Sequence, residues 1–209
     1  MAKGSKNKVN GMWEERYTAS QGYHFGTDPA GFLTENPGWL AEGLCALAVA
    51  DGEGRNSVHM AEQGMRVTAF DISPTAIERA HKLAKDRGVT VDSSLSDLDS
   101  WDWRENAYDM VVAVFIQFLS PPERKIVFEN MKATLKPGGI LMLHGYRPEQ
   151  IALGSGGPKV PENMYTEDML RQAFAGWKIE RLASYERDVQ EGRGHSGKSA
   201  LIDLIVRKP

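Results

Sequence analysis

A single cysteine, Cys45, stands in a chain of 209 residues. That excludes an internal disulfide framework and suits a reducing compartment. Surplus positive charge is missing as well, since 25 Lys and Arg face 28 Asp and Glu for a net charge of −3. No basic field exists to hold a phosphate backbone, so nucleic acid is not an expected partner. Apolar runs fall far short of the roughly 20 residues a spanning helix needs, so no membrane partner is expected either. Residues 1–10 are polar and basic and lack the apolar stretch of a secretory signal. They fit a disordered arm or a remnant of expression, and the expected location is the cytoplasm. The five histidines are scattered, which predicts no metal site. Internal repeats and long linkers are absent.

Hydrophobic residues make up 41%, enough for one core without staples. The chain therefore reads as one domain over residues 1–209, acting as a monomer or homodimer. Short apolar runs alternate with amphipathic segments, the pattern of strands and helices around a parallel sheet. A short helix is expected over residues 12–19. Asp28-Pro29 and Asn36-Pro37 each open another, with proline at the first helical position. Residues 11–43 thus form a helical arm. Strands are expected at 44–50, 66–70, 89–92, 108–115 and 140–145. Helices follow at 56–63, from Ser73 to near Gly88, and at 121–135. The last of these is closed by Lys136-Pro137-Gly138-Gly139. Residues 147–163 carry three glycines and three prolines and read as a loop. A helix capped by Thr166 and a hairpin of strands 177–187 and 199–207 complete the chain. The predicted fold is α/β: a Rossmann-like, doubly wound, seven-stranded sheet, mostly parallel, with the last strand antiparallel.

In such a sheet the ligand sits at the carboxyl ends of the strands, so residues there carry the chemistry. Gly52 and Gly54 follow the first strand; they allow close backbone approach and free N–H groups at a helix start. Tight turns also need glycine for their own sake. Asp71 ends the second strand, where an acid can accept from both hydroxyls of a ribose, or else cap the next helix. Turn and acid together indicate an adenosine-containing cofactor without saying which. Beyond the third strand, Ser96, Asp97 and Leu98 offer an acceptor for an adenine amino group. With Asp92 and Asp99 so close, a solvated loop is an equal reading.

The segment from Tyr108-Asp109-Met110-Val111-Val112 through a helix to Lys136-Pro137-Gly138-Gly139-Ile140-Leu141 resembles the second half of class I S-adenosylmethionine-dependent methyltransferases. The final hairpin matches them too, whereas dehydrogenase domains end in a sixth parallel strand. The resemblance spans residues 44–207. It is nearest to the small bacterial tellurite and thiopurine methyltransferase-like group, through Gly52-Glu53-Gly54-Arg55-Asn56-Ser57 and Asp71-Ile72-Ser73. It implies S-adenosylmethionine as cofactor, with S-adenosylhomocysteine as product. It also implies that Trp13, Tyr17 and Phe25 of the arm close over the site, each of which could equally be core. Asp51, Gly52, Gly54, Asn56, Asp71, Ile72, Ser96, Asp97, Leu98 and Val114 complete the implied cofactor set. Two departures stand out. Ala48 and Ala50 occupy the places where the usual motif has an acid, with Asp51 beside them. No arginine follows the fourth strand, where the chain reads Val114-Phe115-Ile116-Gln117-Phe118, so thiopurine acceptors lose support.

A sixth strand parallel to the first five puts its exit turn at the same edge. Arg193, His195 and Lys198 then become a candidate clamp for an oxyanion or carboxylate, or else a solvated turn. The fifth strand delivers His144, Tyr146 and Arg147 to that edge, and Tyr165 follows the glycine-rich loop. Gln117 and Phe118 follow the fourth strand. Residues 154–161 are a candidate lid. The expected function is in-line methyl transfer to a small-molecule acceptor, for which proximity and orientation suffice. The second reading is a cofactor-binding resistance or regulatory protein with little turnover. The third, a nicotinamide-dependent oxidoreductase, is disfavoured by the hairpin.

Overall fold

The computed structural model describes residues 3–192 and 195–209, with residues 3–10 as backbone alone. Two helices, α1 (Lys3–Thr18) and α2 (Gly31–Thr34), form the N-terminal arm. Then come β1 (Cys45–Val49), α3 (Arg55–Glu62), β2 (Arg66–Asp71), α4 (Pro74–Asp86), β3 (Val91–Leu95), β4 (Tyr108–Val114), α5 (Pro121–Thr134) and β5 (Leu135–Tyr146). The last elements are α6 (Gln150–Leu153), α7 (Glu167–Ala173), β6 (Lys178–Glu191) and β7 (His195–Arg207). The sheet order is β3-β2-β1-β4-β5-β7-β6. Strands β1 to β5 pair in parallel, and β7 runs antiparallel between β5 and β6. This is the doubly wound, Rossmann-like seven-stranded sheet that the residue pattern predicts. Among the described residues, no helix is long and apolar enough to cross a membrane.

Alternation along each strand divides the core into two layers. Leu47, Val49, Val111, Leu141 and Leu143 face Phe128 and Met131 of α5 and Leu170 of α7. Ala46, Ala48, Ala69, Met110 and Met142 face Val58 and Met60 of α3, Leu83 of α4, and Phe32 and Leu33 of the arm. Burial of each large side chain stabilises by about 1.5–3 kcal/mol. With both faces covered, the inner strands β1 and β4 are apolar almost throughout, whereas the edge strands β3 and β6 are polar and largely unburied. The order reverses at β1, flanked by β2 and β4, and a crevice opens at their carboxyl ends.

The observed boundaries differ from the predicted ones where long-range pairing overrides local pattern. α1 begins at Lys3, so the helix takes in most of the segment read as an arm without structure; residues 1–2 lie outside the described residues. β3 lies at 91–95, shifted toward the carboxyl side, and pairs with β2 along five residues. The break at 136–139 lies inside β5, with an irregularity in pairing to β4 between Tyr108 and Met110. There Lys136 Nζ donates to Asp109 Oδ1 at 2.8 Å and Gly138 N–H to the Lys208 carbonyl. The final hairpin is longer than predicted, and pairing continues from Arg187↔Ser199 to Glu191↔His195.

Candidate cofactor and acceptor site

The turn after β1 is built for close packing. Gly54 has φ +89, and a Cβ there would lie 2.8 Å from Ala80 Cβ and 2.9 Å from Ala80 Cα on α4. Gly54 is therefore a packing contact between the turn and α4. Gly52 has φ +63, and a Cβ there would lie 2.6 Å from the Tyr17 hydroxyl. Gly52 N–H donates to Asp71 Oδ2 at 2.9 Å, and Ser73 N–H donates to Asp71 Oδ1 at 3.0 Å. One carboxylate so fixes the ends of β1 and β2 against each other. Each oxygen keeps a second lone pair for a ligand.

The turn's remaining side chains hold the arm. Glu53 Oε2 accepts from His24 N–H at 2.6 Å, and Glu53 Oε1 accepts from Arg79 Nη1 at 2.7 Å. Asn56 Oδ1 accepts from Ala30 N–H at 3.0 Å. Arg55 Nη2 donates to Glu191 Oε2 at 2.7 Å, while Glu191 Oε1 accepts from Gly31 N–H at 3.1 Å. From α1, Glu14 accepts from the Ser73 and Thr75 hydroxyls at the start of α4. The acid inside Gly52-Glu53-Gly54 is thus an anchor for the arm.

A cavity of about 520 Å³ lies between arm and crevice. Its wall includes Trp13, Tyr17 and Phe25 of the arm, Asp51, Gly52 and Asn56 of the turn, and Asp71 and Ile72 after β2. Ser96, Asp97 and Leu98 after β3 and Val114 at the end of β4 also line it, as do Phe115, Phe118 and His195. Of the thirteen residues in the implied cofactor set, Gly54 alone is outside the wall, because it faces Ala80. Phe115 is a wall residue that the sequence reading misses. It follows β4 with φ +58, a left-handed conformation costly for an aromatic residue and often found at working sites. The only available signal is its place just past a strand end.

The cavity is acidic at one end. Asp51 Oδ2 is buried without a hydrogen-bond partner. Burial pushes its carboxyl up to about 7, Asp71 adds to the rise, and Ser57 opposes it. Burial also raises Asp71, against the N–H groups of Ser73 and Gly52. Beside these acids the wall includes apolar Ile72 after β2, Leu98 after β3 and Leu119 after β4. A buried acceptor lacking a donor, a ribose-type carboxylate and apolar walls fit an adenosine carrying positive charge.

Several predicted acceptor contacts lie behind the wall. Gln117 Nε2 donates to the Tyr146 carbonyl at 2.7 Å and its Oε1 accepts from Tyr146 N–H at 2.5 Å. Its amide therefore serves as a backbone partner. His144 Nδ1 is 2.8 Å from Asp203 Oδ1, with its ring stacked on Phe32 and edge-on to Phe115. Tyr146 is buried among Met164, Val189 and Leu201. Tyr165 packs on Phe128 on the opposite face of the sheet, and Arg147 pairs with Glu149 at the surface. Lys198 pairs with Glu186. The 154–161 segment packs on β7 and Tyr146, through Ser155 to the Lys198 carbonyl and Gly157 against the Tyr146 ring. Arg193 lies outside the described residues. Of the described acceptor candidates, Phe118 and His195 are the two that reach the cavity wall.

Fold and crevice together are those expected of a class I, S-adenosylmethionine-dependent methyltransferase, and part of the chain is similar to such a domain. Residues 46–139 match the family model described as a methyltransferase domain. Carboxy-S-adenosyl-L-methionine synthase of Vibrio campbellii is 36% identical over 101 residues, covering 47% of this chain and 40% of that protein. The namesake from Trichlorobacter lovleyi is 40% identical over 80 residues, covering 37% and 32%. The chain thus spans less than half the length of these relatives. Among solved structures, TehB from Haemophilus influenzae superposes with a TM-score of 0.72 at 18% identity, covering 94% of this chain and 67% of that one. A structure described as the conversion of a disulfide bond into a thioacetal group during echinomycin biosynthesis gives 0.78 at 19% identity, covering 96% and 91%. S-adenosylmethionine is the cofactor of this class.

Proposed function

We propose that the chain transfers a methyl group from S-adenosylmethionine to a small-molecule acceptor. The observation that carries this reading is the arm-covered cavity itself. It joins Asp71, the unpartnered Asp51 oxygen and an aromatic wall in one cavity. Asp71 would hold the ribose, Asp97 and Leu98 the adenine, and Asp51 the positive charge. The bound cofactor supplies a methyl group already activated on a sulfonium, so the chain's own work is to orient the two partners and exclude water. A cavity of about 520 Å³ favours a small acceptor.

Saturating S-adenosylhomocysteine, at about 100 times its dissociation constant, is expected to add about 2.7 kcal/mol. In a chain of this size that raises the melting temperature by about 5–10 °C. No shift at millimolar ligand would remove the proposal.

Asp51 gives that binding a pH dependence. With its carboxyl at about 7 before binding, a cation placed beside it favours the ionised form and expels a proton. S-adenosylmethionine should therefore bind more tightly as pH rises, by up to about tenfold per unit below 7 and little above. Calorimetry from pH 5.5 to 8 tests this, with Asp51→Asn expected to flatten the curve. A flat wild-type curve would show that Asp51 does not meet the charge.

A carboxymethyl-bearing cofactor, suggested by the relatives' name, would bring an anion into the cavity. Arg55 is the one cationic side chain among the described wall residues, and it is committed to Glu191. That favours plain methyl transfer.

A further inference from the structure

His195 opens β7 directly after the hairpin turn and is 8% exposed. Its ring lines the cavity and lies against aromatic neighbours on two sides. Phe25 of the arm is at 4.5 Å and Phe115 after β4 at 4.0 Å, centroid to centroid, with Tyr146 edge-on at 5.8 Å behind. Nδ1 is buried, has no hydrogen-bond partner and stands 4.0 Å from Glu191 Oε2. The charged and titratable groups around this ring are Glu191 on β6, Arg55 on α3, and His144 and Tyr146 on β5. Burial lowers the imidazole to about 4, and Arg55 and His144 act in the same direction against Glu191. Glu191, itself kept ionised by Arg55 and the Gly31 N–H, faces Nδ1. It favours the tautomer with the proton there and the lone pair on Nε2.

The two ends of the cavity therefore differ in kind. The end at Asp51 and Asp71 is acidic. The end at Phe25, Phe115 and His195 is an aromatic wall, its phenyl rings tilted by 38° and 54° to the imidazole, with one uncharged hydrogen-bond acceptor, and no uncommitted cation is among the described residues lining it. An anion moved there would lose its hydration without gaining a counter-charge, which is costly. A planar apolar molecule would bury its faces on the two phenyl rings, and a hydroxyl, thiol or N–H at its edge would find the imidazole.

Resting on the methyltransferase reading, we propose that this aromatic end is the acceptor subsite. It selects uncharged, planar, apolar acceptors whose nucleophilic atom carries a proton, held by a hydrogen bond to the neutral His195 imidazole. Of the basic residues expected to form an anion clamp at the hairpin turn, Lys198 pairs with Glu186 and Arg193 lies outside the described residues.

The test uses the full chain saturated with S-adenosylhomocysteine, with neutral 2-naphthol and anionic 2-naphthoate as probes of the same ring system. Calorimetry should find 2-naphthol binding below 1 mM and 2-naphthoate at least tenfold weaker. His195→Phe should weaken 2-naphthol at least fivefold, whereas His195→Gln, whose amide oxygen still accepts, should keep most of the affinity. Both variants should retain the melting shift given by S-adenosylhomocysteine, which separates a lost contact from a lost fold. Should one variant lack that shift, the other and the ratio between the two probes decide. Equal or tighter binding of 2-naphthoate overturns the proposal, as do an unchanged affinity in His195→Phe or no 2-naphthol binding at 1 mM. If the wild-type chain shows no shift with S-adenosylhomocysteine, the cofactor reading itself fails and the subsite with it. If the shift is present and the probes fail, only the subsite falls.

Discussion

Replacing Asp71 with alanine is expected to weaken S-adenosylmethionine binding by at least a hundredfold. The carboxylate is buried, and two backbone N–H groups already fix it, one from the turn and one from the cap of α4. The proposed ribose contacts would use its remaining lone pairs. Two hydrogen bonds to a charged group are worth about 1.5–3 kcal/mol each, and about 1.4 kcal/mol is tenfold in affinity. Alanine removes those contacts and also leaves the Gly52 and Ser73 N–H groups without their acceptor. Asparagine should be little better. Its amide can accept at one end only, so its NH2 group would meet one of the two donors head-on. Titration of both variants by calorimetry, beside a melting curve to confirm folding, tests the assignment. A dissociation constant within threefold of wild type in Asp71→Ala would remove Asp71 from the site.

Gly54→Ala is expected to cost about 3 kcal/mol of stability, by two independent routes. A left-handed backbone conformation costs a residue with a Cβ roughly 1–2 kcal/mol. Overpacking against a rigid neighbour costs about 1–3 kcal/mol more, and here the neighbour is the body of α4 at Ala80. The melting temperature should fall by about 6–12 °C. Gly88→Ala isolates the first route, because Gly88 also has positive φ (+69) yet nothing within 4 Å of the place its Cβ would take. It should cost about 1 kcal/mol. Equal losses in the two variants would mean that Gly54 is a turn residue only, with no part in holding α3 and α4 together.

These two residues illustrate how unevenly the site is legible. Asp71 can be placed because a strand end is a local feature, and its acid follows the glycine turn at the interval a ribose site requires. Gly54 reads as a ligand contact, yet the neighbour that excludes a side chain is Ala80, 26 positions away. Ala50 reads as a missing acid. In the fold it is a cavity-wall residue at φ +48 beside Asp51, whose free buried oxygen lies in the same space. Glu53 sits between the two glycines. Its actual partners are His24, Phe25 and Arg79, and no local period encodes a contact with an arm almost 30 residues upstream.

The acceptor side shows the same division. Strand direction carries His144, Tyr146 and His195 to one edge of the sheet. Position at an edge does not decide depth. His144 is drawn inward by Asp203, and Gln117 and Tyr146 satisfy one another's polar groups. Unpaired buried groups are costly enough that such partners outweigh exposure to a ligand.

By itself, then, the sequence determined the order of strands and helices, the doubly wound sheet, the closing hairpin and the strand ends where a cofactor would sit. Apolar period, caps and glycines act within a few residues of one another, and that information is local. The tertiary structure decided which strand-end side chains form the wall and which stand behind it. It also turned Glu53 and Arg55 toward the arm, and left His195 as an uncharged ring between Phe25 and Phe115. Those outcomes depend on pairings such as Gly31 with Glu191, 160 residues apart, whose geometry exists only once the sheet has brought them together.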